Sequence, residues 1–194
     1  MTAIIPKATI FLDIDGVLAP IPYPPDEELD QKVAELFPNK PIPKRYGWGF
    51  FSKEDLTVIS HSYFSEAAVQ NLEKLIQRVQ EVAQCRIVIS SSWRLCGNLD
   101  EVKEMLKKHS FCQHIIDKTP DLLFRGRGLE ISSWLNENKA LENYAIFDDC
   151  DYGVFRDHRR NFVHVDREKL LTEQDCEKAY QILARESTST DEEA

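Results

Sequence analysis

A chain of 194 residues, 42% of them hydrophobic and 29% charged, is long enough for a single domain with a substantial core. The formal net charge of -9 argues against a general affinity for long nucleic acid, whose phosphates call for a basic surface. No apolar segment approaches a membrane span, and the chain does not begin with a basic region followed by a long apolar core. We therefore expect a soluble, cytoplasmic protein without a signal peptide.

The cysteine pattern favours a reducing compartment. The five cysteines are dispersed, they form no Cys-x-x-Cys pair, and their number is odd. Reduced thiols are therefore expected at Cys85, Cys96, Cys112, Cys150 and Cys176.

The first half of the chain opens with a short apolar strand at 10–12. It is followed by a Pro-rich segment at 19–25, an acidic helical piece at 26–37, a Pro/Lys segment at 38–45 and an aromatic run at 46–51. Helical spacing of apolar residues follows at 69–83, with Ser65 as the N-cap. The β-branched run at 86–89 is typical of a buried strand.

The second half alternates helices with strands. A helix with Val102 and Met105 on one face ends at the basic pair 107–108. The further elements are strands at 115–116, 144–147 and 161–165, a helix at 129–138, and a last helix that opens on Thr172-x-x-Asp175. The acidic end at 186–194 is expected to be disordered. This alternation predicts an α/β fold, Rossmann-like and three-layered, with a central parallel sheet between helices.

Two acidic pairs stand where predicted strands end. Asp13 and Asp15 follow the first strand, and the pair Asp148-Asp149 follows the strand at 144–147. The carboxyl ends of parallel strands form the crevice in which α/β proteins bind ligands. Burying carboxylates there is costly unless a metal, cations or hydrogen bonds compensate. The two pairs therefore predict a site for a divalent cation.

The same residue types suit phosphoryl transfer. That reaction needs a nucleophile, a cation that offsets charge on the transferring group, and donors around its equatorial oxygens. An aspartate at a strand end can form an aspartyl-phosphate. A carboxylic acid two residues later can protonate the leaving alcohol and then activate water. Mg²⁺ prefers oxygen ligands of this kind.

Four ordered motifs resemble the haloacid dehalogenase (HAD) superfamily of Mg²⁺-dependent phosphatases. They are FLDIDGVL at 11–18, IVISSSWR at 87–94, RGLEI at 127–131 and IFDD at 146–149. The resemblance covers most of residues 8–166, and its second and third motifs look most like the small HAD domains associated with RNA repair. It implies a phosphomonoesterase that uses Mg²⁺ as its cofactor.

The resemblance also implies roles for the four acids. Asp13 would be the nucleophile and a metal ligand. Asp15 would be the general acid/base, with its backbone carbonyl on Mg²⁺. Asp148 would be an acidic metal ligand, direct or through water, and Asp149 its partner or a group that orients it.

Two phosphate-binding positions each have two candidates. The family's basic residue corresponds to Arg127 or Arg125, and the spacing to the Glu-Ile pair favours Arg127. The family's Ser/Thr corresponds to Ser90 or Ser91: strand length favours Ser90, whereas the spacing to the tryptophan in similar domains favours Ser91, which we select. Arg94 would either contact the substrate phosphate or pair with a surface carboxylate.

The interval before Ser65 lies where one HAD subclass inserts a cap domain. We expect a single HAD-like domain over 1–185, in which residues 19–64 form a minimal lid because they are too few for the large caps. The lid's mouth would carry Lys40, Lys44 and Arg45. The aromatic run at 46–51 would either stack on a base or an aromatic phosphoester or pack the insertion onto the core, and the area that aromatics bury favours packing.

A small lid leaves the crevice open to bulky substrates. The expected partner is a phosphorylated substrate: a small molecule, a nucleotide, a phosphoprotein (including phosphotyrosine) or a nucleic-acid end. A basic cluster, Arg156, Arg159 and Arg160, follows the fourth motif and could flank the entrance.

The alternative from another class is a receiver-like phosphoacceptor or a non-catalytic binding module. Receiver domains carry their acidic pair after the first strand and their phosphoacceptor after the third, the reverse of the order here. Asp15 also supplies the acid/base group that hydrolysis requires, and a silent module would be expected to have lost one of the acids.

Overall fold

The computed structural model describes residues 6–23, 25–41, 51–123, 125–139, 143–150 and 153–185. Lys44, Arg45, most of the aromatic run and the tail at 186–194 lie outside these residues, so the interpretations of those segments stay predictions.

Five strands and six α-helices lie within the described ranges. The strands are β1 (Lys7–Leu12), β2 (Gln84–Ile89), β3 (Ile115–Lys118), β4 (Asn143–Asp148) and β5 (Phe162–His164). The helices are α1 (Asp26–Leu36), α2 (Lys53–Ser62), α3 (Glu66–Gln80), α4 (Leu99–Leu106), α5 (Arg127–Glu137) and α6 (Glu173–Leu183). Short 3₁₀ turns occur at Ser92–Cys96, Ser110–His114 and Arg156–His158.

The strands form one parallel sheet in the order β3-β2-β1-β4-β5. Strands alternate with helices along the chain, and the prediction of an α/β, Rossmann-like fold with a central parallel sheet is confirmed. The order reverses between β1 and β4, because β2 and β3 extend the sheet on one side of β1 and β4 and β5 on the other. The carboxyl ends of β1 and β4 therefore form the switch point at which such sheets bind ligands.

Side chains alternate between the two faces of the sheet. Phe11, Val88 and Ile146 share one face and pack against α5 through Ile131 and Trp134. The neighbouring positions point the other way, into the larger core that α1, α2, α3, α4 and α6 cover. Helices on both faces give the three layers that the sequence predicts.

The segment between β1 and α3 joins that larger core. Leu29 and Val33 of α1 and Leu56 and Ile59 of α2 are buried in it. Helix α2 was not predicted, although Ser52 and Asp55 form a capping box at its start. This packing ties α1 and α2 to the core, while the single domain over 1–185 and the lid at 19–64 stay predictions. Among the described helices, none combines the length and the apolar character that a membrane crossing requires.

Candidate functional site

Asp13 and Asp148 lie side by side at the switch point. The ladder continues past β1, since the Asp13 amide donates to the Phe147 carbonyl at 3.0 Å and the Ser90 amide donates to the Leu12 carbonyl at 3.0 Å. Because side chains alternate, Asp13, Ser90 and Asp148 follow Phe11, Val88 and Ile146 on the face that α5 covers. Asp13 is 1% exposed and Asp148 is fully buried. Two carboxylates and one hydroxyl thus share one buried corner.

Arg127, the first residue of α5, joins the two carboxylates. Its Nη1 contacts Asp13 Oδ2 and lies 2.5 Å from Asp148 Oδ2. Burial opposes the charged guanidinium, but the charges of Asp13 and Asp148 outweigh it and raise the pKa of Arg127. Of the two arginines considered, Arg127 is the one that reaches Asp13, and Arg125 is exposed.

The start of α5 is fixed by the chain segment after β4. A Cβ on Gly128 would lie 2.1 Å from the Val154 carbonyl oxygen, so only glycine permits this close approach. The buried His158 ring meets the Gly128 carbonyl through Nε2 at 2.9 Å and the Tyr144 hydroxyl through Nδ1 at 2.8 Å. These contacts hold the first turn of α5, and with it Arg127, against the sheet.

Burial and the neighbouring negative charges alter the titration of the acids. Burial, followed by the charge of Asp13, raises the pKa of Asp148 to about 7, although Arg127 opposes the shift. Burial and the charge of Asp13 also raise the pKa of Asp15 to about 6. Both shifts have the physical origin expected of a functional acidic cluster.

Asp149 reaches the site across the turn after β1. Its Oδ2 lies 2.9 Å from Arg167 Nη2, and its carbonyl contacts His164 Nε2 at 3.0 Å. Gly16 lies under its carboxylate: a Cβ there would come within 2.6 Å of Asp149 Cγ, and the φ of Gly16 is +73°. A side chain at residue 16 would therefore collide with Asp149 and strain the backbone.

Asp15 leaves the ladder and is held by side chains from two other segments. Its Oδ1 accepts hydrogen bonds from the Tyr23 hydroxyl and from Trp93 Nε1, the latter at 2.8 Å. The Ser92 hydroxyl lies 3.4 Å from Oδ2. Sequence reasoning missed Tyr23, which lies in the Pro-rich stretch, and used Trp93 only as part of a motif.

The two candidate serines differ in what they bond. Ser91 caps the 3₁₀ turn, since its Oγ accepts from the Trp93 amide at 3.4 Å. The buried Ser90 Oγ has no hydrogen-bond partner among the described residues. Ser90 follows Val88 on the sheet face of Asp13, whereas Ser91, the serine selected from the sequence, does not. Which serine binds phosphate stays a prediction.

Arg94 faces the protein interior, where it pairs with a buried carboxylate. It is 6% exposed, and its Nη2 lies 2.6 Å from Glu130 Oε2 in α5. Its Nη1 donates to the Ser90 and Ser91 carbonyls at 3.2 and 2.9 Å. The ion-pair interpretation of Arg94 was therefore the better one, except that the partner is buried rather than on the surface.

Residues 9–176 match the HAD domain in Swiss Army Knife RNA repair proteins, and the chain belongs to this family of HAD domains. It is a HAD domain, as the four motifs predict. Among solved structures it is similar to a haloacid dehalogenase-like family hydrolase from Streptococcus pneumoniae, with 13% identity and a TM-score of 0.42 over 93% of this chain and 92% of that chain. No curated protein sequence matches it.

Proposed function

We propose that this protein is a Mg²⁺-dependent phosphatase that hydrolyses a phosphomonoester through an aspartyl-phosphate on Asp13. The observation that carries the proposal is the meeting of Asp13, Asp148 and the Arg127 guanidinium at the switch point. The Ser90 hydroxyl, which has no hydrogen-bond partner within the described part of the chain, follows the same face of the sheet. A carboxylate nucleophile beside a guanidinium and a free donor is the arrangement that phosphoryl transfer requires.

The charge balance of the site fits a divalent cation. Four carboxylates gather at this edge of the sheet: Asp13, Asp15, Asp148 and Asp149. Among the described residues, Arg127 and Arg167 are the two cations in ion pairs with them, whereas Asp15 is held by neutral donors. The ionised acids therefore outnumber their two paired arginines even when Asp15 carries the proton it donates, and carboxylate oxygens are the preferred ligands of Mg²⁺.

Cys150 adjoins these acids but does not suit the metal. The ligand atoms of Asp148, Asp149 and Cys150 lie within 4.8 Å of one another. Sulfur is a soft ligand, whereas Mg²⁺ prefers oxygen, so the Cys150 thiol is not expected to bind this cation. Asp13, Asp148 and Asp149, with the Asp15 carbonyl, would hold Mg²⁺, which when bound offsets negative charge on the transferring phosphoryl group.

The residues divide the remaining work. Asp13 attacks phosphorus, while the Arg127 guanidinium and the Ser90 hydroxyl donate to the phosphoryl oxygens. Asp15 gives a proton to the leaving oxygen and later takes one from the water that hydrolyses the aspartyl-phosphate. Because Asp13 and Asp148 are buried, bulk water has little access to the reacting atoms, and protons are exchanged with the bound leaving alcohol or the attacking water.

The substrate class is inferred from the family and from the net charge. We propose a phosphorylated nucleic-acid end in preference to a phosphoprotein or a metabolite, because the chain belongs to a family described from RNA repair proteins. The net charge of -9 is compatible with recognition of an end, since few phosphates then need neutralising. A panel of 5′- and 3′-phosphorylated oligonucleotides, nucleotides, phosphosugars and phosphotyrosine peptides tests this choice.

The central test is metal-dependent turnover. The purified protein should release p-nitrophenol from p-nitrophenyl phosphate with Mg²⁺, stop with EDTA, and recover when Mg²⁺ is added in excess. Asp148→Asn should raise the Mg²⁺ concentration needed for half-maximal rate, whereas Asp166→Asn, at an exposed carboxylate paired with Lys169, should not. No turnover with Mg²⁺, with EDTA making no difference, would favour the non-catalytic binding module or receiver-like phosphoacceptor. Turnover that EDTA leaves unchanged would contradict the metal dependence.

The serine assignment gives a paired prediction. Ser90→Ala should lower kcat/KM by about 100-fold, because one preorganised donor to the phosphoryl group is lost. Ser91→Ala should lower the free energy of unfolding by about 1 kcal/mol through the lost cap, and change kcat/KM little. Steady-state kinetics and thermal unfolding of both variants test this assignment. A large loss of kcat/KM in Ser91→Ala, with little change in Ser90→Ala, would assign phosphate binding to Ser91.

A further inference from the structure

The hydrogen bonds of Asp15 are divided unequally between its two oxygens. Oδ1 accepts from both Tyr23 and Trp93. Oδ2 has one long contact among the described residues, to the exposed Ser92 hydroxyl at 3.4 Å. Tyr23 comes from the segment after β1 and Trp93 from the 3₁₀ turn after β2, so the two donors approach Asp15 from separate parts of the chain.

The chemistry of the donors determines which oxygen can carry a proton. An indole N–H is a donor only, so Oδ1 cannot bear a hydrogen that points toward Trp93. Oδ2 has room for one, and the adjacent Ser92 hydroxyl can either donate or accept. The carboxyl group is therefore polarised by its surroundings, with Oδ1 as the permanent acceptor.

Both donors are themselves held by aromatic packing. Trp93 is 2% exposed and lies against Phe64, with ring centroids 5.7 Å apart. Tyr23 meets Phe51 edge to face at 5.0 Å. Because the rings cannot move freely, the two donors define a fixed orientation for the Asp15 carboxyl plane.

We infer that Tyr23 and Trp93 are positioning residues that fix the Asp15 carboxyl group so that Oδ2 is the oxygen that exchanges protons with the substrate. The inference rests on the proposed function, in which Asp15 is the general acid/base, and it adds an assignment of the reacting atom and of the groups that orient it.

The assignment accounts for both half-reactions. In the first, a bond forms from an Asp13 oxygen to phosphorus, the bond from phosphorus to the leaving oxygen breaks, and the proton on Oδ2 moves to that leaving oxygen. In the second, water attacks phosphorus, the bond to Asp13 breaks, and a proton from water returns to Oδ2. Oδ1 keeps its two hydrogen bonds throughout, so the carboxyl group does not rotate between the steps.

Leaving-group dependence tests the inference. We would measure kcat/KM of Tyr23→Phe and Trp93→Phe on p-nitrophenyl phosphate, whose leaving group needs little protonation, and on phenyl phosphate, which needs more. A misoriented acid should cost about tenfold more on phenyl phosphate than on p-nitrophenyl phosphate, a part of the 10²- to 10⁴-fold that general acid catalysis contributes. A purely structural role would lower both rates by the same factor.

Tyr63→Phe is the matched control. Tyr63 donates to Glu28 at 2.8 Å, so this variant also removes a tyrosine–carboxylate hydrogen bond but leaves Asp15 untouched, and its two rates should stay in the wild-type ratio. Trp93 is buried, so Trp93→Phe could fold poorly; Tyr23→Phe alone then tests whether Asp15 needs a positioning donor. If Asp15→Asn is inactive while Tyr23→Phe keeps the wild-type ratio, the inference is overturned and the proposed function stands. If Asp15→Asn turns over at the wild-type rate, the proposed function fails and the inference fails with it.

Discussion

Asp13→Asn is expected to abolish Mg²⁺-dependent turnover, with a loss of about 10³-fold or more, while the protein stays folded. An amide of the same shape cannot form the acyl phosphate. Its oxygen can still accept the hydrogen bond that the Ile14 amide gives to Asp13 Oδ1 at 2.8 Å. The variant loses the ion pair with Arg127. It also removes a negative charge which, second to burial, raises the pKa of Asp15 and of Asp148. We therefore expect an unchanged or slightly higher melting temperature.

Three measurements on this variant belong together: steady-state turnover, intact-protein mass spectrometry after acid quench, and thermal unfolding. The wild-type protein should show a mass increase of one phosphoryl group, and the variant should show none. Asp166→Asn, an isosteric change at an exposed acid, should match the wild type in all three. Residual turnover above a few per cent of wild type, in a folded Asp13→Asn protein, would remove Asp13 as the nucleophile.

The largest expected effect on stability comes from breaking the Arg94–Glu130 pair. Both side chains are 6% exposed, so Arg94→Met or Glu130→Gln leaves an unpaired charged group in the interior. Glu130 also accepts from the Leu122 amide at 3.3 Å, and Arg94 holds the carbonyls of Ser90 and Ser91. Each single variant should lower the free energy of unfolding by about 3–5 kcal/mol, a large share of the 5–15 kcal/mol typical of a domain.

A double variant separates the pair from its surroundings. Arg94→Met with Glu130→Gln should lose less than the sum of the two single changes, because neither charge is then left alone. Lys74→Met serves as control: Lys74 pairs with Glu173 at 3.2 Å on the surface, with side chains 65% and 78% exposed, so we expect less than about 1 kcal/mol. Urea unfolding of the wild type and of all four variants measures these differences. Single variants as stable as the control would show that Arg94 and Glu130 do not stabilise the fold.

The positions of Asp13 and Asp148 in the fold could be predicted from the sequence, because they depend on a local pattern. An apolar strand followed by a carboxylate places that carboxylate at the carboxyl edge of a parallel sheet, and this is where Asp13 and Asp148 lie. Arg127 was selected differently, from the family resemblance and its spacing to the Glu-Ile pair, and it is the first residue of α5. The fold class followed from the same alternation of elements.

The remaining contacts depend on three-dimensional register. Strand pairing matches Leu12 with Ile89, and this register decides that Ser90 rather than Ser91 follows the face of Asp13. The donors to Asp15 lie 8 and 78 residues away along the chain, and Glu130 lies 36 residues from Arg94. No periodicity or composition links such residues, because only the folded chain brings them together.

Gly16 and Asp149 are packed against each other, because the Asp149 carboxylate fills the space that a side chain at residue 16 would occupy. Enlarging residue 16 would push that carboxylate off Arg167 and away from its neighbours, so this wall of the crevice cannot be reshaped from one side alone. To fit a bulkier phosphoester, if the proposed function holds, it would be better to vary exposed positions of α1 and α2, which contain neither Gly16 nor Asp149.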